Sequence, residues 1–197
     1  MANPRLLRTM TEGNAPEASG LLDTEWHILS LPWPTAVHAA SGPAPRVRWQ
    51  RIENRLLWEI EGPAPLAGPP AFPPGGFIEG LWEQDVAECF LLDRQTGGYT
   101  EYNLSPGGAW WAAEFTAPRI RRDPQPPPTC FGVRLETQWT AAGWLGRMEM
   151  RLPSAERFAV NFTAVVMTAE GCCYYSLSPL GGGRPDYHRP QDWAEWV

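Results

Sequence analysis

The stretch from Gly80 to Phe115 confines this chain to β-structure. It reads GLWEQDVAECFLLDRQTGGYTEYNLSPGGAWWAAEF, three short strand-like runs separated by glycine-containing turns. The first, Val86 to Leu92, is apolar on both alternating faces, with Glu88 as its one charge. That is the pattern of a central strand covered on both sides. The second, Tyr99 to Ser105, places Thr100, Tyr102 and Leu104 on one side and Tyr99, Glu101, Asn103 and Ser105 on the other. The third carries the tandem pair Trp110–Trp111, whose rings must point to opposite faces of a strand. At least one of them is therefore expected in the core. Paired as neighbours, these strands would bring Glu88 and the polar row Glu101, Asn103 and Ser105 to one surface.

The same period of two recurs along the chain. VRWQRI and RLLWEIE flank Glu53-Asn54 as the arms of a tight hairpin, with Leu56, Trp58 and Ile60 coreward and Glu59 and Glu61 toward water. CFGVRLETQWT and WLGRMEMRLP form a second hairpin with one wet, charge-laced face. RFAVNFTAVVM and CCYYSLSP supply further strands. No convincing 3.6-residue periodicity appears, and 22 prolines and 19 glycines in 197 residues interrupt helices. These features predict an all-β fold, an antiparallel β-sandwich of about ten strands with a jelly-roll or immunoglobulin-like arrangement. A single domain over residues 23–197, preceded by a loose arm at 1–22, follows from the length and patterning. The proline-rich stretches 62–76 and 124–128 are expected to be ordered loops rather than domain linkers.

A net charge of −6, with all 16 cations arginine, argues against nucleic acid or an anionic membrane as partner. No apolar run approaches the roughly 18–20 residues of a membrane span. The amino terminus lacks the apolar core of a signal peptide, so a cytoplasmic location is expected. Cys89, Cys130, Cys172 and Cys173 show no CxxC spacing and are expected as reduced thiols. No catalytic or nucleotide-binding motif is present, and a non-enzyme is expected. Glu83, Asp85 and Glu88 are close enough in sequence to suggest Ca²⁺, but only if the strand geometry brings them together. For His188 and Asp186, a hydrogen bond fixing the C-terminal segment outweighs a metal site. The rings of Tyr99, Trp110 and Trp111 suit the apolar face of a pyranose, with Glu101 and Asn103 to bind its hydroxyls.

Three spaced segments, LWEQDVAECFL, YTEYNLSPGGAWWAAEF and YYSLSPLGGGRPDYHRP, occur in order over roughly 82–119 and 172–190. Together they resemble the bacterial DOMON-like domain proteins, a group related to the family-nine carbohydrate-binding modules. The resemblance implies a β-sandwich of about ten strands that binds sugar or haem in some branches. It also implies a ligand-face or structural polar set of Glu83, Glu88, Glu101, Asn103, Arg119, Asp186 and His188. The tryptophan pair that sandwiches a sugar in the carbohydrate-binding branch has no counterpart recognisable in the sequence. With Trp110 and Trp111 added, the expectation is a non-catalytic module for a saccharide-like small molecule, without a cofactor. A haem-binding electron-transfer protein and a protein-interaction module are the alternatives, with haem and Ca²⁺ as the minor candidates for a bound group. The sequence specifies no oligomeric state.

Overall fold

The computed structural model describes residues 6–9, 24–31, 33, 43–65, 72–152 and 158–196. In chain order the strands are β1 (Leu6–Thr9), β2 (His27–Ile28), β3 (Arg46–Ile52), β4 (Arg55–Pro63), β5 (Val86–Asp93), β6 (Tyr99–Leu104), β7 (Trp110–Ala117), β8 (Ile120–Arg121), β9 (Arg134–Thr140), β10 (Gly143–Arg151), β11 (Phe158–Thr168), β12 (Gly171–Ser176) and β13 (Ala194–Trp196). Among the described residues the other regular elements are three 3₁₀ turns, Leu81–Glu83, Pro128–Phe131 and Pro190–Asp192. No described helix is long and apolar enough to cross a membrane.

The strands form two antiparallel sheets. One has the order β1-β9-β10-β4-β3-β2, the other β12-β11-β5-β6-β7-β8, with β13 also paired to β11. The expected sandwich is therefore present, with more strands than the ten anticipated. The excess lies in edge strands of two to four residues, β1, β2, β8 and β13, which are too short for an alternating pattern to show. Leu6–Thr9 pair with Leu135–Gln138 of β9, so this part of the expected loose arm is a sheet edge. Residues 1–5 and 10–22 lie outside the described residues.

Both expected hairpins form. Ile52 faces Arg55 across Glu53-Asn54, with Glu53 at φ 53°, and Thr140 faces Gly143 at the start of β10. The far end of the proline-rich loop is tied down: Gly75 N–H donates to Gly108 C=O at 2.7 Å and Trp110 N–H to Gly76 C=O at 2.9 Å. Phe77 makes a parallel bridge to Trp110 there. Residues 66–71 of that loop lie outside the described set.

Alternation sorts the side chains of the larger sheet into two buried layers. Between the sheets, Ala87, Cys89, Leu91, Tyr102, Leu104, Trp110, Phe158, Val160 and Phe162 meet Val47, Leu56, Trp58, Ile60, Met148 and Met150. At ~1.5–3 kcal/mol for each large side chain buried, this layer supplies most of the hydrophobic stabilisation. The opposite face of the same sheet is also covered. Val86, Phe90, Leu92, Tyr99, Trp111, Phe115 and Val165 pack there against Trp33, Leu81, Leu180, Tyr187 and Trp193. Burial on both faces explains the continuous apolar run of β5. Trp110 and Trp111 take opposite layers, as a strand requires.

Two expectations are corrected by this packing. The polar side of β6 is not open: Tyr99, Glu101, Asn103 and Ser105 are each at most 3% exposed, with His188 and Trp193, from the segment leading from β12 to β13, set against Tyr99 and His188 against Glu101. Glu59, expected to face water, is 1% exposed. Arg48 Nε donates to its Oε2 at 2.6 Å and Arg147 Nε to its Oε1 at 2.7 Å. The register places both arginines directly opposite Glu59 on the flanking strands. Their aliphatic stems and guanidinium groups exclude water from the carboxylate.

Candidate functional site

Pairing register assembles the site on the outer face of the larger sheet. One row across the strands runs Thr163, Glu88, Asn103, Trp111. The next runs Asn161, Phe90, Glu101, Ala113. Glu88 and Glu101 thus occupy diagonal positions on adjacent strands and project to the same side, within side-chain reach of one another. Over them lies a cavity of about 380 Å³, at the lower end of the ~300–1,000 Å³ of small-molecule sites. The sheet contributes Glu88, Phe90, Glu101, Trp111, Phe115 and Val165 to its lining. Trp82 comes from the 3₁₀ turn before β5, and Arg119 and Arg121 from the β7–β8 turn and β8. Tyr174 of β12 and the segment Pro185–His188 complete it.

Aromatic rings form its walls. Trp82 and Trp111 meet edge to face with centroids 4.9 Å apart. The Arg121 guanidinium lies 4.8 Å from the Trp111 centroid and bonds Glu79 at 2.5 Å. Tyr99 stacks on Phe115 at 4.7 Å, and His188 stands against the edges or faces of Phe90 and Phe115 at 5.6 and 5.2 Å. The mouth is marked by the more exposed side chains: Arg119 donates to Asp186 Oδ1 at 2.8 Å, and these side chains are 62% and 36% exposed. Arg119 occupies the left-handed region at φ 62°. Its backbone N–H donates to Tyr99 Oη at 3.1 Å, which holds the turn over the cavity.

The interior is acidic. Glu88 Oε2 accepts from Thr163 Oγ1 at 2.7 Å, and Glu101 Oε1 accepts from Asn103 Nδ2 at 3.1 Å. Desolvation pushes the Glu88 carboxyl up to about 7 against the pull of the Thr163 bond. Desolvation, then repulsion by Glu88, pushes Glu101 up to about 8. Near neutrality the pair therefore holds protons that exposed glutamates would have released. Burial lowers His188 to about 4, with Arg119 adding to the effect. The ring is thus neutral. Tyr99 Oη already accepts from Arg119 and lies 2.5 Å from His188 Nδ1. Donation of the phenolic hydrogen to Nδ1 puts the imidazole proton on Nε2, which faces Glu101 Oε2 at 3.7 Å.

Of the residues expected from the sequence, Glu88, Glu101, Trp111, Arg119 and His188 converge on this cavity. Three do not line it. Trp110 points into the inter-sheet core, because its neighbour takes the outer face. Asn103 lies in the row between Glu88 and Trp111 but is fully buried beneath the wall, bonded to Glu101. Glu83 is exposed at the end of its 3₁₀ turn, and Trp82 lines the cavity instead. Glu83, Asp85 and Glu88 do not come together: Asp85 Oδ1 accepts from Met167 N–H at 3.0 Å, and no described trio of His, Cys, Asp or Glu forms a metal-binding group. His188 N–H donates to Asp186 Oδ1 at 3.1 Å, the structural bond expected for that pair. Trp82, Tyr174, Tyr187 and Arg121 were not anticipated. The only local signal for Trp82 was an aromatic residue in a polar turn just ahead of the central strand.

Comparison with known proteins places the fold. No family model matches the chain. Over 153 residues it is 28% identical to the UPF0462 protein C4orf33 homolog of Danio rerio, covering 73% of this chain and 75% of that protein. Among solved structures, it is similar to a proposed carbohydrate-binding protein of Bacteroides uniformis, with a TM-score of 0.64, 15% identity, and 87% and 84% of the two chains covered. It is also similar to a family-nine carbohydrate-binding module of Caldicellulosiruptor kristjanssonii solved with cellotriose, with a TM-score of 0.57, 11% identity, and 92% and 88% covered. The glucose complex of such a module from that organism gives a TM-score of 0.57 at 13% identity, with 92% and 90% covered. At these identities the likeness is one of fold, and the fold is the β-sandwich of family-nine-like carbohydrate-binding modules.

Proposed function

We propose that this chain is a non-catalytic saccharide-binding module, and that its sugar occupies the cavity over Glu88 and Glu101. The observation that supports the reading most is the convergence of Trp82 and Trp111 with two buried glutamates on one concave surface. Aromatic rings cover the C–H faces of a pyranose, and carboxyl groups near their titration range exchange hydrogen bonds with hydroxyls in either direction. The volume, about 380 Å³, suits one or two sugar units. The same fold in solved structures with glucose and cellotriose adds support.

Binding orients the ligand and asks no bond to break. Stacking on one ring with two or three hydrogen bonds corresponds to millimolar affinity, about −4 kcal/mol. Titration of glucose and cellobiose against intrinsic tryptophan fluorescence tests this, because Trp82 and Trp111 both line the cavity. A saturable response that disappears in Trp82→Ala is expected. No response to these sugars, nor to the amino-sugar disaccharides described below, would overturn the reading.

A further inference from the structure

The two glutamates of the cavity lack a cation. Among the described residues no arginine reaches either carboxylate within ion-pair distance; His188, 3.7 Å from Glu101, is the nearest basic side chain, and Arg119 and Arg121 act on Glu101 only from farther off. The chain contains no lysine to supply one. Arg119 and Arg121 line the cavity but are engaged at its rim by Asp186 and Glu79. His188 takes its hydrogen bond from Tyr99 and stays neutral. Both glutamates are 3% exposed, and each accepts one side-chain hydrogen bond, from Thr163 at 2.7 Å or from Asn103 at 3.1 Å. Asn103 Oδ1, in the same row, is buried with no partner at all. The interior thus holds an excess of acceptors. A buried carboxylate without a counter-charge either takes up a proton or waits for a cation.

The walls suit a cation as well. Trp82, Trp111, Phe90 and Phe115 surround the carboxylates, and aromatic faces attract ammonium groups within about 6 Å of the ring centre. A neutral sugar would supply hydroxyl donors but no charge. A sugar carrying an ammonium group supplies both, with three N–H donors on one atom.

We infer that the ligand is an amine-bearing saccharide, an amino sugar whose ammonium group sits between Glu88 and Glu101 while its ring packs on the aromatic walls. This rests on the saccharide reading above and narrows it. The raised proton affinity of the pair adds a consequence: the incoming ammonium displaces a proton the pair holds near neutrality.

The test compares the β-1,4-linked disaccharides of glucosamine, N-acetylglucosamine and glucose, which differ only at C2. Binding is measured at pH 7 by tryptophan fluorescence and by calorimetry in two buffers of different ionisation enthalpy. The glucosamine disaccharide should bind at least about tenfold tighter than the other two, the size of a charge-assisted hydrogen bond in a partly buried site. It should release a proton, up to about one per molecule bound at pH 7 and less by the share of amine that arrives uncharged and takes the proton up itself, and the glucose disaccharide should release none. In Glu101→Gln and Glu88→Gln, both checked for folding by circular dichroism, the preference should shrink to within about threefold. Equal or tighter binding of the glucose disaccharide would overturn the amine inference and leave the saccharide reading intact. So would a preference that persists in both variants. No binding of any of the three would remove both.

Discussion

Raising the pH from 5 to 8 should destabilise this protein, and Glu101→Gln should remove much of that loss. Glu88 and Glu101 have ordinary values of 4.5 and are raised in the folded chain to about 7 and about 8. Between those limits the native state binds more protons than the unfolded state, so stability is greatest below the unfolded value and falls as pH rises through the folded ones. Each such group contributes a loss of about 1.4 kcal/mol per pH unit while it differs between the two states. His188, lowered from 6.5 to about 4, has the opposite sign: its contribution is present above 6.5 and is lost as pH falls toward 4. From pH 5 to 6.5 two losses oppose one gain. From 6.5 to 7 both losses act alone, and above 7 chiefly Glu101 remains. The net fall between pH 5 and 8 is roughly 4 kcal/mol, a large share of a typical domain's stability. In Glu101→Gln one loss vanishes and Glu88 no longer meets a neighbouring charge, so less than about half of the fall should remain. Urea unfolding followed by tryptophan fluorescence at a series of pH values measures both proteins, with the denaturant slope confirming a common unfolding reaction. Wild-type stability that is flat or rising from pH 6.5 to 8, or a variant as steep as the wild type, would refute the buried-pair reasoning.

Other consequences of the packing are open to simple tests. Glu59→Gln keeps the shape but removes the charge that Arg48 and Arg147 share, and should cost about 3 kcal/mol in urea unfolding; an unchanged midpoint would mean that solvent replaces the carboxylate. Gly146→Ala would set a methyl group 2.5 Å from the Trp144 ring and 2.9 Å from Leu104 in the inter-sheet layer, with an expected loss of about 1–3 kcal/mol by thermal or chemical melting. Trp82→Ala, on a partly exposed turn, should abolish the fluorescence response to sugar while shifting stability by only about 1 kcal/mol, which separates a ligand contact from a core residue.

The sequence by itself determined the layers. Period-two alternation states which side chains of a strand share a face, so the sandwich, its two principal hairpins, the central place of β5 and the opposite placement of Trp110 and Trp111 were all legible. The burial of Glu88 was legible too, since a lone charge in a run apolar on both sides has no wet face to occupy. Alternation is silent about what lies above a face. Tyr99, Glu101, Asn103 and Ser105 read as one surface row with Glu88, because nothing local announces that His188 and Trp193, some eighty residues later, pack against Tyr99 and that His188 also meets Glu101. Glu59 looked wet for the same reason, because the arginines that enclose it are its neighbours only through the register of β3 and β10 against β4. Trp82, Tyr174 and Tyr187 become one wall only when strands and loops distant in sequence converge over a sheet. Register and cover arise from long-range packing, and that packing, not the local pattern, turned a polar strand face into the floor of a concave acidic cavity.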